Sequence, residues 1–131
     1  MDIADIRGLK HLIMQKHHDT GFKGEAIAIN WLSRQGFLIL RTNWRYSHYE
    51  LDIIAERGNM LHFIEVKTRS GLRYGYPEEG VTLEKIKRMK MAGAAYLCRY
   101  DPHRFWVQYC IVSILMKDDR VEEIKFIEDI E

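Results

Sequence analysis

Asp52, Glu65 and Lys67 are the residues of this 131-residue chain whose types and spacing could do chemistry. They lie on two apolar runs, Tyr49 to Glu56 and Met60 to Thr68, joined by Arg57-Gly58-Asn59, whose Gly58-Asn59 pair is a two-residue hairpin signal. With Gly58 and Asn59 as the central turn residues, Asp52 stands opposite Glu65, Glu50 opposite Lys67, Leu51 opposite Val66 and Ile53 opposite Ile64. Facing residues have Cβ atoms about 4.5–5.5 Å apart, so two carboxylates would be held side by side. Leu51, Ile53, Ile64 and Val66 line one face and Ile54, Leu61 and Phe63 the other, so these strands are expected at the centre of a sheet. Like charges withdrawn from water cost several kcal/mol, and a protein answers by protonating one of them or binding a cation. Oxygen donors suit Mg2+ or Mn2+, and the carbonyl of Val66 would add a further oxygen. Lys67 shares the face of Glu65, where its ammonium can reach an incoming phosphate. The bland alternative is a surface hairpin whose acids are paired by Lys67, Arg45 or Arg69, and spacing alone does not separate the two.

Positioning these groups requires more elements. Asp19 or Thr20 can cap a helix covering Thr20 to Gln35, with Ala26, Ile29 and Leu32 on one face and Gly36 as its left-handed stop. Phe37 to Trp44 reads as a strand. After a glycine-rich loop, Ser70 to Gly80, Thr82 caps a helix running to about Tyr100, with Leu83, Ile86, Met89, Gly93 and Leu97 inward and Asp101-Pro102 as its end. Phe105 to Met116 and Val121 to Ile127 are expected strands around the polar turn Lys117-Asp118-Asp119-Arg120. Residues 1–18 place Ile3, Ile6, Leu9 and Ile13 at helical spacing, an amphipathic extension suited to pack on the body or on a second subunit.

Composition bounds the function classes. The chain is 47% hydrophobic and 30% charged, which fits one globular domain over residues 1–131 with 1–18 as a helical extension. No apolar run reaches the roughly 20 residues of a membrane span and no signal-peptide core opens the chain, so a cytoplasmic protein without a membrane partner is expected. Cys98 and Cys110 have no metal-ligand or redox spacing and are expected as buried free thiols. His17-His18 lacks a third ligand at sensible spacing, and no phosphate-binding glycine loop, Ser-His-Asp set or dinucleotide fingerprint is present. The net charge of +1 hides an uneven distribution: residues 67–104 hold nine Lys/Arg against four Asp/Glu, and residues 117–131 three against seven. Arg69, Arg73, Lys85 and Arg88 are therefore candidate contacts for a nucleic-acid backbone, with a solvated helix face as the alternative for Lys85 to Lys90. Tyr74 and Tyr76 could stack on unpaired bases or pack on their own loop.

Four strings in order, Gly21-Phe22-Lys23-Gly24-Glu25, Arg41-Thr42-Asn43-Trp44-Arg45, Glu50-Leu51-Asp52-Ile53-Ile54 and Phe63-Ile64-Glu65-Val66-Lys67-Thr68-Arg69, resemble the YraN-like family of bacterial proteins. The resemblance covers roughly residues 20 to 115. It implies the PD-(D/E)xK nuclease-like superfamily, with an α/β restriction-endonuclease-like fold: a mixed central sheet flanked by helices. It further implies Asp52 and Glu65 as metal-binding acids, Lys67 as the catalytic lysine and Glu25 as an accessory acid. Glu25 rests on the resemblance alone; otherwise it is an ordinary first-turn acid favoured by the helix dipole. Two departures from the family pattern stand out: Tyr49 where glycine is usual, and Gln108-Tyr109-Cys110 in place of an Arg-Phe-Asp signature.

The expectation is thus metal-dependent phosphodiester hydrolysis of nucleic acid, with DNA favoured over RNA and branched or single-stranded structure over a base-specific duplex site. Symmetric cutting of a junction would need a homodimer, for which the N-terminal helix is a candidate contact. The rivals are a nuclease-fold module that binds nucleic acid or a protein without turnover, and a purely structural acid pair.

Overall fold

Gly36 and Gly58 set two of the chain reversals, and both take the left-handed backbone that glycine adopts without steric cost. The computed structural model describes residues 20–130. Helix α1 (Thr20–Arg34) stops at Gly36, at φ 88, where the N–H groups of Gly36 and Phe37 return to the carbonyls of Ser33 and Leu32. Strands β1 (Leu38–Tyr46), β2 (Tyr49–Arg57) and β3 (Met60–Ser70) follow as an antiparallel meander, with Gly58, at φ 63, opening the β2–β3 turn. A 3-10 turn at Pro77–Gly80, unmarked by any sequence pattern, leads to helix α2 (Leu83–Tyr100). Thr82 caps α2 as expected, its Oγ1 accepting the Lys85 N–H at 3.1 Å. Strand β4 (Val107–Lys117) lies parallel to β3, and β5 (Arg120–Ile127) returns antiparallel across Asp118 and Asp119, at φ 52 and 60.

The sheet order is β1-β2-β3-β4-β5, and α2 is the crossover that parallel pairing of β3 and β4 demands. This mixed α/β sheet with a helix on each face is consistent with the restriction-endonuclease-like architecture expected from the sequence. On one face Ala28, Ile29 and Leu32 of α1 pack against Ile53, Ile64 and Val112. On the other, Met89, Ala92 and Tyr96 of α2 pack against Leu51, Ile54, Leu61 and Phe63, so Leu51 lies on the face opposite Ile53 and Ile64 and not with them as the alternation predicts. Because β3 is covered from both sides, residues Leu61 to Glu65 are buried without a break, which explains the unbroken apolar run of its sequence.

Three further expectations are corrected. Leu83 is 71% exposed rather than inward, because the buried face of α2 runs through Met89, Ala92, Gly93 and Tyr96. Cys98 is exposed on α2; Cys110 alone is buried, paired with Ile64 in the sheet. The β2–β3 ladder runs from Arg57–Met60 to Ile53–Ile64 in the expected register and ends there, so Asp52–Glu65, Leu51–Val66 and Glu50–Lys67 are not ladder pairs. The N-terminal extension and His17-His18 lie outside the described residues. No helix among the described residues is long and apolar enough to cross a membrane.

Candidate active site

Past Ile53–Ile64 the two central strands part company. Strand β2 follows β1 as far as Tyr49, while β3 stays with β4 as far as Ser70. Asp52 fills the gap: its Oδ2 accepts the Val66 N–H at 2.8 Å, so a side-chain carboxylate takes the place of a ladder carbonyl. That bond is the physical reason the expected register fails here, and it fixes Asp52 between the two faces of the sheet. Glu65, one residue before Val66, is 8% exposed and close enough to Asp52 for the charge of Asp52 to act on it. Glu25 approaches the same point from α1, near enough to Asp52 and to the side chain of Asn43 for both to act on its carboxyl.

Two small residues make this convergence feasible. Gly24 lies against β3 so closely that a Cβ there would collide with Thr68 Oγ1, and this lets α1 bring Glu25 down to the sheet. Asn43, on β1, adopts φ 50 inside a strand, a conformation Asn tolerates better than other side chains. Sequence reading missed Asn43 as a site residue. Its place in the Arg41–Arg45 string next to the acid-bearing strand was the available signal.

Burial dominates the electrostatics. Desolvation first, and then the charge of Asp52, hold the Glu65 carboxyl up at about 8. Desolvation followed by the charge of Asp52 likewise raises Glu25 to about 7, with the Asn43 hydrogen bond pulling the other way. Asp52 is raised too, mainly by burial, against the opposing pull of the Val66 N–H and of Lys85. Lys85 is the nearest positive charge: its Nζ is 3.6 Å from Glu65 Oε1. The Thr82 cap puts Lys85 in the first turn of α2, which aims it at the acids instead of at solvent. Arg88, three residues on, pairs with Glu84 on the exposed face and takes no part.

Glu25 and Glu65 each approach Asp52 across the splay, and among the described residues no group of three or more His, Cys, Asp or Glu is drawn together to hold a metal ion. The donor chemistry nevertheless suits a hard divalent cation. All three side chains offer oxygen, and Glu65 Oε2 is buried with no hydrogen-bond partner. The contact that Val66 makes at this point is through its N–H rather than its carbonyl.

Lys67 and Arg69 continue along β3 from Glu65 on the same face. They lie under the 3-10 turn, where a Cβ on Gly80 would be 2.9 Å from Lys67 Cε and 2.8 Å from Arg69 Nη2. Lys67 makes no ion pair among the described residues, and with Thr68, Arg69, Ser70, Gly71 and Tyr74 it lines an open cleft of about 360 Å³. Arg73 lies on the exposed loop beyond, 5.6 Å from the Tyr74 ring. Thus Glu25, Asp52, Glu65 and Lys85 come together, Lys67 and Arg69 form the adjoining basic cleft, and Arg73 lies at its edge. Of the two departures, Cys110 is in the core under α1, its thiol pushed up to about 12 by burial, and Tyr49 stacks on His48 with ring centroids 4.2 Å apart.

Residues 24–114, which carry every one of these acids and the two lysines, match the family described as Uncharacterised protein family UPF0102. The chain belongs to the UPF0102 family. This is the YraN-like family that the four sequence strings resemble. A UPF0102 protein of Bacteroides thetaiotaomicron is 46% identical over 114 residues, covering 86% of this chain and 93% of its own. A UPF0102 protein of Chlorobium phaeobacteroides is 40% identical over 107 residues, 82% of this chain and 84% of its own. One from Beutenbergia cavernae is 40% identical over 102 residues, 78% and 86% of the two chains. The UPF0102 match ends at Ile114 inside β4, so β5 lies beyond it.

Proposed function

We propose that this UPF0102 protein is a divalent-metal-dependent phosphodiesterase of the PD-(D/E)xK nuclease-like type, acting on nucleic acid and on DNA in preference to RNA. The observation that carries the reading is the buried, unpartnered Glu65 Oε2 beside Asp52 and Glu25, at the head of a basic cleft. Structural acids are normally satisfied by donors, whereas acids kept short of donors retain the capacity to bind a cation. Bound Mg2+ or Mn2+ would supply the positive charge that ionises these acids and polarises a phosphoryl oxygen. The chain's own residues do the rest. Asp52 is oriented by the Val66 N–H, Asn43 favours the charged form of Glu25, and Lys67 offers its ammonium to charge developing on the phosphate.

A second reading is favoured by one contact: the Lys85 ammonium lies 3.6 Å from Glu65 Oε1, where a cation would otherwise sit, as a lysine would in a fold that binds nucleic acid without cutting it. The two are separated by cleavage of labelled duplex, single-stranded, flap and four-way-junction DNA, and of RNA, with Mg2+ or Mn2+. Cutting by wild type that disappears in both Glu65→Ala and Lys67→Ala supports hydrolysis. Binding by all forms with cutting by none supports the second reading.

A further inference from the structure

The loop after β3 carries two tyrosines in different situations. Tyr76 has the Lys125 ammonium 4.2 Å from its ring centroid and leads into the 3-10 turn, which is pinned to the sheet through Glu78, Lys125 and Ser113. Tyr74 is 75% exposed, with the Arg73 guanidinium 5.6 Å from its centroid and its backbone carbonyl held by Arg69 Nη1 at 3.0 Å. Gly71 and Gly75, at φ 87 and 91, bound this short loop and let it project. An aromatic ring presented this way, tied to a phosphate-competent arginine, is a poor structural investment unless something covers it.

Below the ring is the open cleft of about 360 Å³, lined by Lys67, Arg69 and Tyr74 among others. Arg69 Nε is buried there and donates to nothing, so a donor is already desolvated and waiting for an acceptor. Glu65, Lys67 and Arg69 are spaced two residues apart along β3, about 6.6 Å per step, so the row leads in about 13 Å from Glu65 to Arg69, whose Nη1 holds the Tyr74 carbonyl. Duplex nucleic acid keeps its bases stacked on each other and offers this row only phosphates. An unpaired strand offers phosphates to the lysine and arginine together with a free base face to the tyrosine.

We infer that the cleft along β3 binds an unpaired nucleic-acid strand, with Tyr74 as a base-stacking shelf and Lys67 and Arg69 as its phosphate contacts. This deepens the proposed function, on which it rests, by giving the substrate a single-stranded segment beside the bond to be cut.

Binding measured in EDTA, where no hydrolysis is asked of the protein, tests it without using activity. The probes are a fluorescein-labelled oligothymidine, a strand of the same length made of abasic residues, and a duplex of that length, titrated by anisotropy with wild type, Tyr74→Ala and Tyr74→Phe. Wild type and Tyr74→Phe should prefer the oligothymidine to the abasic strand by about tenfold, the scale of a single base stack, and Tyr74→Ala should lose that preference while still binding phosphate. Tyr74 is exposed, so its truncation leaves the fold intact, as an unchanged melting temperature would verify. A base preference that survives in Tyr74→Ala, equal affinity for the duplex, or no binding of any probe overturns the shelf. A Tyr74-dependent preference in a protein that cuts nothing sustains the shelf and removes the nuclease reading instead.

Discussion

Raising the pH of the metal-free protein from about 5 to about 8 should destabilise it, and replacing Glu65 with Gln should remove the Glu65 share of that loss while leaving the share of Glu25, which is held near 7. Glu65 binds its proton more tightly folded, near 8, than unfolded, near 4.5. The stability this contributes is therefore fully present below 4.5 and is lost as pH rises toward 8. At about 1.4 kcal/mol for each pH unit, the window from pH 5 to 8 removes on the order of 4 kcal/mol, undiminished by solvent screening because the side chain is 10% exposed. For a chain of this size such a change lowers Tm by on the order of 10 °C. Thermal melts in EDTA at a series of pH values would show a falling Tm for wild type and a shallower fall for Glu65→Gln, with the variant the more stable at pH 8. Parallel falls in the two proteins would refute the assignment of the penalty to Glu65. At pH 8, Mg2+ at a hundred times its Kd should restore about 2.7 kcal/mol by mass action.

Four further outcomes follow from particular contacts. Apparent affinity for Mn2+ should rise between about pH 6 and pH 8, because Glu25 and Glu65, held near 7 and 8, must release protons to bind it; calorimetric titration across that range checks this. Gly24→Ala should cost about 1–3 kcal/mol in urea melts by pressing on Thr68, and Thr68→Ala should recover part of it. Asn43→Gly should be more stable than Asn43→Ala by roughly 1 kcal/mol, since glycine accepts φ 50, while both remove the amide that favours a charged Glu25. Lys85→Ala should bind Mn2+ more tightly than wild type if the lysine and the ion compete for Glu65, and equally if they do not.

Helices and strands were legible because their signals are local: the Thr82 cap, the Gly36 stop and the Gly58 turn each act within a few residues. The hairpin register followed from the turn and held wherever backbone pairs with backbone. It failed at Asp52, where one side-chain hydrogen bond to the Val66 N–H outcompeted the ladder, an event that hydrophobic alternation does not encode. Asp52 and Glu65 were identified from spacing, but their meeting with Glu25 depends on how closely α1 approaches β3, and only the Gly24–Thr68 contact fixes that. Lys85 was read as part of a basic helix face. Its real position depends on the rotation of α2 about its own axis, which the exposure of Leu83 reveals and the apolar pattern did not.

A divalent-cation site formed by Glu25, Asp52 and Glu65 can be tested without knowing the substrate. Mn2+ titration followed by electron paramagnetic resonance at pH 8 should show about one bound ion per chain in wild type, with binding lost in Asp52→Asn and Glu65→Gln that melt as folded proteins. Mn2+ bound equally by those variants, or by none of the proteins, would contradict it.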